Sequence, residues 1–210
     1  MPEFKLHCFA QSGNAYKAAL MLALCGADWK PQFVDFFNGE TRSESFRKLN
    51  PMGEVPVLEH RDEVFSQSGV ILDYLADTLN QFAATNEQSA REILRWILFD
   101  NHKLTGSIAV LRFLRTFTRN GENDVTRFYE NRSKNALQTL ENHLQQNPFV
   151  VDQQLSIADI SICGYLYYDD EFGFSLGQYT AIQKWLDSIS AMPGWQHPYE
   201  MMPGHPLTQA

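Results

Sequence analysis

Residues 4–25 read FKLHCFAQSGNAYKAALMLALC, and this stretch decides the fold. Phe4, Leu6 and Cys8 alternate with Lys5 and His7, the period of a strand with one buried face. The pattern predicts a strand over 4–9. It breaks at the loop AQSGN, residues 10–14. Residues 15–25, AYKAALMLALC, are mostly good helix formers and are apolar nearly all round, which predicts a buried helix. Gly26 supplies a helix stop. A second strand is predicted over 32–36. Strand, helix and strand in this order make a βαβ unit, whose two strands lie parallel.

On the C-terminal side, residues 37–53 are polar and turn-rich, with a short helix expected at 44–49. Residues 55–59 and 64–66 read as two strands around a turn at 60–63, an antiparallel hairpin. Ser68 then opens a helix, GVILDYLADTL. The module over 1–79 is therefore a mixed four-stranded sheet carrying helices, an α/β domain. Residues 80–86, NQFAATN, read as a linker. Beyond it every pattern has the helical period, so 87–210 is expected to be an all-α domain. Helices are predicted at 87–118, 125–146, 157–168 and 179–189. The first carries Ile93, Ile97, Leu104, Ile108 and Leu111 near one face. A bend is expected at Gly106 and a stop at Asn120-Gly121.

Composition narrows the function classes. The chain has 210 residues, 44% of them apolar, and a net charge of −8. Residues 1–80 carry 7 basic against 11 acidic side chains, and 81–210 carry 10 against 14. Neither half offers the basic surface that nucleic acid needs, so no nucleic-acid partner is expected. Cys8, Cys25 and Cys163 are far apart and fit no metal-ligand spacing, so no metal is expected. Scattered reduced thiols suit a cytoplasmic setting. The start MPEFKLHCF lacks the apolar run of a signal peptide, and no apolar stretch reaches the length of a membrane span.

Four constellations carry chemistry. Ser12 sits in the loop after the first parallel strand, the end at which α/β sheets bind ligands. The helix start beside it offers unpaired N–H groups and a positive dipole end. A hydroxyl there can stabilise a thiolate, although Ser, Gly and Asn also serve as plain caps. Glu54-Val55-Pro56 places a proline at a strand start, where an exposed backbone edge can pair with an extended ligand. Gln67-Ser68 opens a helix, with Ser68 expected as the N-cap and the free N–H groups fit for a carboxylate. Ser156-Ile157-Ala158-Asp159 is a capping-box pattern with Asp in the last place, and its role is structural.

These pieces occur in a recognisable order. Residues 12–17 (SGNAYK), 50–58 (NPMGEVPVL), 66–75 (SQSGVILDYL) and 156–159 (SIAD) resemble the cytosolic glutathione transferases over essentially the whole chain. The resemblance implies a thioredoxin-like N-terminal domain followed by a helical domain. It implies glutathione as co-substrate, a hydrophobic electrophile as second substrate, and a homodimer. Ser12 falls where the serine-type classes place the catalytic hydroxyl, with Lys17 five positions on and Asn14 able to assist or replace it. Val55 matches the residue whose backbone pairs with the cysteinyl unit, and Pro56 the family's cis-proline. Gln67 and Ser68 match the pair that holds the γ-glutamyl end. Asp159 belongs to the family's folding motif.

One position departs from the pattern. Glu54 stands where Lys or Gln is common, beside the expected glycyl carboxylate. Either Glu54 points away, or a cation such as Arg42 or Lys48 compensates, or glutathione binds weakly. Candidates for the electrophile's wall are Phe9, Ala10, Leu104, Ile108, Leu111 and Tyr165. The implied activity is glutathione transfer. The alternatives are a non-catalytic binding or regulatory protein of the same fold, and a glutathione-dependent peroxidase or isomerase using the same site.

Overall fold

The computed structural model describes residues 2–118 and 121–207. They divide into two compact units. One runs to Gln81 and is rejoined by the segment from Met192 onward; the other is Phe82–Ala191. The segment after Met192, which helical periodicity assigned to the all-α domain, thus packs with the first unit. Asn120, expected as part of a helix stop, lies outside the described residues.

The first unit contains β1 (Phe4–Cys8), α1 (Gly13–Leu24), β2 (Trp29–Phe33), α2 (Glu44–Leu49), β3 (Val57–His60), β4 (Glu63–Ser66) and α3 (Ser68–Leu79). The sheet order is β2-β1-β3-β4, with β1 and β2 parallel and the other pairs antiparallel. This is the mixed four-stranded, thioredoxin-like arrangement expected. Alternation along β1 works as the sequence demands. Phe4, Leu6 and Cys8 are wholly buried on one face with Leu58 and His60 opposite them. His60 stacks on Phe4 and meets the Tyr74 hydroxyl of α3 at 2.6 Å. The other face pairs His7 with Val57 and packs Val57 with Val34 and with Phe46 of α2.

β2 lies three residues earlier than the pattern predicted. The strand runs through Pro31, which an edge strand tolerates. β3 starts at Val57 rather than at residue 55, which leaves Val55 and Pro56 outside the ladder.

The second unit is helical: α4 (Glu87–Phe99), α5 (Thr105–Thr116), α6 (Asp124–Leu144), α7 (Ile157–Cys163) and α8 (Thr180–Ser190). The irregularity expected at Gly106 is a π-helical segment at Asp100–Leu104, between α4 and α5. Gly106 permits it, because a Cβ there would lie 2.8 Å from the Asn101 carbonyl oxygen. The buried Asp100 carboxylate anchors the segment, accepting from Thr105 Oγ1 at 2.7 Å and Ser161 Oγ at 2.6 Å. α7 is shorter than predicted, ending at Cys163 before a 3₁₀ stretch at Leu166–Glu171.

The Ser156 capping box is present, and Asp159 does more than cap. Its carboxylate accepts from Val150 N, Ser156 N, Ser156 Oγ and Trp185 Nε1, all within 3.0 Å. Burial pushes the carboxyl up to about 6, against those four donors. One side chain thus ties the loop before α7 to α8. No helix among the described residues is long and apolar enough to cross a membrane.

Removing this hub leaves several buried donors unpaired, and such losses cost a few kcal/mol. Asp159→Ala is expected to lower unfolding free energy by about 3 kcal/mol. Urea denaturation checks it; a change below about 1 kcal/mol would exclude the hub role.

Candidate active site

The sheet register gathers three backbone breaks at one end. His7 of β1 stands opposite Val57 of β3, and Val57 opposite Ser66 of β4. The loop after β1 (9–12), the stretch before β3 (54–56) and the residues after β4 (67–68) therefore leave the sheet side by side.

Ser12 caps α1. Its Oγ accepts from Ala15 N at 3.2 Å, its N–H donates to Phe9 O at 3.0 Å, and its C=O accepts from Tyr16 N at 2.9 Å. The hydroxyl proton has no acceptor among the described residues. The side chain is buried yet retains a little accessible surface. Asn14 follows in the first turn, with its Oδ1 buried and without a hydrogen-bond partner. Lys17 is wholly buried.

Val55 precedes a cis peptide bond to Pro56. Because the ladder starts at Val57, the Val55 N–H and C=O make no hydrogen bond among the described residues. This is an open edge of the kind an extended peptide occupies.

Ser68 is not the N-cap that the sequence suggested. Gln67 occupies that position, with φ of 70° and no side-chain cap, and Ser68 is the first helical residue. A non-glycine residue held at positive φ costs of order 1 kcal/mol and needs a reason. The helix start is left with uncapped N–H groups and the buried Ser68 hydroxyl beside them. Gln67 Nε2 donates to Met52 Sδ at 3.0 Å and Glu54 Oε2 at 3.2 Å. Glu54 is thus turned toward Gln67.

The cation near this loop is neither of those proposed from the sequence. Lys48 is paired with Glu44 at 2.8 Å on the surface. Arg42 is exposed on a 3₁₀ turn. Arg47 instead reaches the loop, donating from Nη1 to Pro51 O at 3.3 Å. Its place in α2 gave no sequence signal, since either of the two basic residues there could turn inward.

The wall candidates fare differently. Ala10, Ile108 and Leu111 have no accessible surface and Leu104 almost none, so they are packing residues rather than an open wall. Tyr165 and Phe9 are buried with a small exposed remainder. Two of the chain's thiols are poor nucleophiles: burial pushes Cys8 up to about 12 and Cys25 up to about 11. Among the described residues no group of three or more His, Cys, Asp and Glu is placed to hold a metal ion.

Sequence reasoning missed the strap formed by the returning C-terminal segment. Ala10 N donates to Pro203 O at 2.7 Å, and Gln11 Nε2 to Gly204 O at 2.8 Å. Tyr16 Oη donates to Gln196 O at 2.9 Å. The strap thereby braces the loop that carries Ser12. A proline- and glycine-rich segment such as this has no period to read.

Residues 2–77 match the family model of the glutathione S-transferase N-terminal domain, and residues 109–193 that of the C-terminal domain. A crystal structure of a possible glutathione S-transferase from Rhodopseudomonas palustris superposes with a TM-score of 0.87 and 33% identity, over 93% of this chain and 98% of that one. The chain belongs to the cytosolic glutathione transferase superfamily. A transferase role follows from that membership. Maleylacetoacetate isomerase of Pseudomonas aeruginosa is 27% identical over 98% of this chain and 97% of its own length. A glutathione transferase homologue from Lodderomyces elongisporus, with two GSH per subunit, shares the fold. It has a TM-score of 0.87 and 24% identity, over 97% of this chain and all of that one.

The strap gives a direct test. At Gly204, φ is 96° and a Cβ would lie 2.6 Å from the Phe33 ring. Gly204→Val is expected to cost about 1–3 kcal/mol and to expose the C-terminus to protease. Thermal melting and limited proteolysis read both, and an unchanged digest would show that the strap braces nothing.

Proposed function

We propose that the chain activates the thiol of glutathione with the Ser12 hydroxyl and directs it at a hydrophobic electrophile. The observation that carries this reading is the Ser12 proton, which has no acceptor among the described residues, at the amino end of α1. A sulfur anion is the acceptor it suits. A hydroxyl donor and a helix start together favour the ionised thiol. Lowering a thiol pKa by about two units needs about 2.7 kcal/mol, within reach of those two effects. Asn14 assists from the same turn.

The open Val55 edge takes the cysteinyl backbone of the tripeptide. The uncapped start of α3, with Gln67 and Ser68, takes the γ-glutamyl carboxylate. Pro56 ends the edge. The bound glutathione of the Lodderomyces homologue supports the choice of co-substrate. In the reaction the proton leaves the thiol for solvent and sulfur attacks carbon. With an aryl halide the S–C bond forms, the C–halogen bond breaks, and halide departs with the electron pair. The raised thiols of Cys8 and Cys25 argue that glutathione, not the enzyme, provides the sulfur. Free cysteines also fit a cytoplasmic setting. Exposed Val70 on α3 and exposed Leu94 and Leu98 on α4 suit the family's two-fold dimer.

A second reading, isomerisation with the same thiolate, draws on the full-length likeness to maleylacetoacetate isomerase. It shares every step up to the attack on carbon.

Turnover of an aryl halide with saturating glutathione tests Ser12. Ser12→Ala is expected to lower kcat by about 10²-fold or more, the scale of losing a positioned donor. A melting curve separates this from lost capping, which costs about 1 kcal/mol. Equal rates would remove Ser12 from the mechanism.

Glu54 weakens binding if it lies near the glycyl carboxylate. Like charges about 4 Å apart repel by about 1 kcal/mol in water. Glu54→Gln is therefore expected to lower the Kd for glutathione about fivefold by calorimetry. A weaker Kd in the variant would mean that the Glu54–Gln67 bond organises the site instead.

A further inference from the structure

We infer that the second unit holds an anion site between the π-helical segment and α6, and that its ligand is a phosphate monoester of a small polyol. The site shares no residue with the glutathione site proposed above.

Two cations without an acidic partner define it. Phe99, Lys103, Arg132, Asn135, Ala136 and Thr139 line an open pocket of about 280 Å³. Lys103 is exposed and makes no hydrogen bond or ion pair among the described residues. Arg132 makes one hydrogen bond among them, from Nε to Ser107 Oγ at 3.2 Å. Every other lysine and arginine of α4, α5 and α6 is ion-paired: Arg91, Arg95, Arg112, Arg115, Arg127 and Lys134. The remaining carboxylates are engaged as well. Asp100 accepts from Thr105 and Ser161, and Glu141 from Ala181 N and Ile182 N. The two cations left over therefore share one pocket, and no carboxylate of these helices is available to them.

Both cations are held by their surroundings. The Arg132 guanidinium carbon lies 5.6 Å from the centroid of the Phe128 ring, over its face. With Nε tied to wholly buried Ser107, the two terminal nitrogens keep their donors for a ligand. That planar pair is the fork that grips phosphate oxygens. Lys103 lies in the widened turn closed by Thr105 N donating to Asp100 O. Turns of this kind are rare and recur at functional sites. Asp100 fixes its buried side.

The charges and the other lining groups decide the ligand. Two cations lining one pocket repel each other, and a dianion between them offsets both. A phosphate monoester carries about two negative charges at pH 7 and three acceptor oxygens. A single carboxylate brings one charge and would leave one cation unmet. The Asn135 side-chain amide has no partner among the described residues and supplies further donors. Thr139 Oγ1 donates to Asn135 O at 3.0 Å, so its lone pairs remain for a ligand hydroxyl. Phe99 and Ala136 offer apolar surface to the carbon part. The volume is at the low end for ligand pockets, about 300–1,000 Å³, which suits a small ester.

Calorimetry of the full chain at low salt, with glycerol 3-phosphate, inorganic phosphate and succinate, tests the site. Glycerol 3-phosphate is expected to bind with a Kd of about 1 mM or tighter, inorganic phosphate more weakly and succinate more weakly still. Arg132→Lys keeps the charge and loses the fork, and is expected to weaken the ester about tenfold. Lys103→Gln is expected to weaken it about threefold. Lys103 is exposed and bonds to nothing, so this variant tests the site even where Arg132→Lys unfolds. No heat with either phosphate, or an unchanged Kd in Lys103→Gln, would overturn the site. Succinate binding as tightly as the ester would overturn the phosphate assignment. A wild-type dimer that becomes monomeric in Lys103→Gln would make the cations a subunit contact, which also overturns the inference.

Discussion

The antiparallel register of β1, β3 and β4 is the constraint on which the rest depends. Because His7, Val57 and Ser66 stand in line, three chain breaks open at one end of the sheet. Each break leaves a hydrogen-bonding group without a partner among the described residues: the Ser12 proton, the Val55 backbone pair and the first N–H groups of α3. Under the proposed reading, these three groups at one sheet end meet a peptide-like ligand with two backbone-type groups and an anion. A one-residue slip of β3 would turn Val57 away from α2 and move the open edge out of line with Ser12.

Rigidity around this end is distributed. The turn from Phe9 to Ser12 is closed by its own hydrogen bond, and the returning strap holds Ala10 and Gln11 from outside. Asp159 performs the corresponding task in the second unit, gathering four donors onto one carboxylate. Each device fixes loops within its own unit through hydrogen bonds.

Much of this was legible in the residues. Alternation in β1 and the apolar run of α1 placed Ser12 at a parallel strand's end, and the structure puts it at the cap. Pro56 was legible because a proline at a strand start needs a special place. The SIAD pattern announced its own capping box. Other features had no local signal. β2 begins three residues before the predicted 32–36, and its edge position explains why the strand can run through Pro31. Gln67 displaced Ser68 from the cap by adopting positive φ, which its side chain does not announce. The strap depends on contacts distant in the chain. The helical stripe of Leu104, Ile108 and Leu111 suggested a substrate wall, and packing claimed it, as it does most apolar stripes.

The central claim is that the Ser12 proton settles a sulfur anion. Ultraviolet titration of glutathione bound to the protein measures it directly through thiolate absorbance. The account predicts a thiol pKa about two units below the free value in the wild type, and a return most of the way in Ser12→Ala. A bound thiol that titrates at its free value in the wild type, or identically in both proteins, would contradict it.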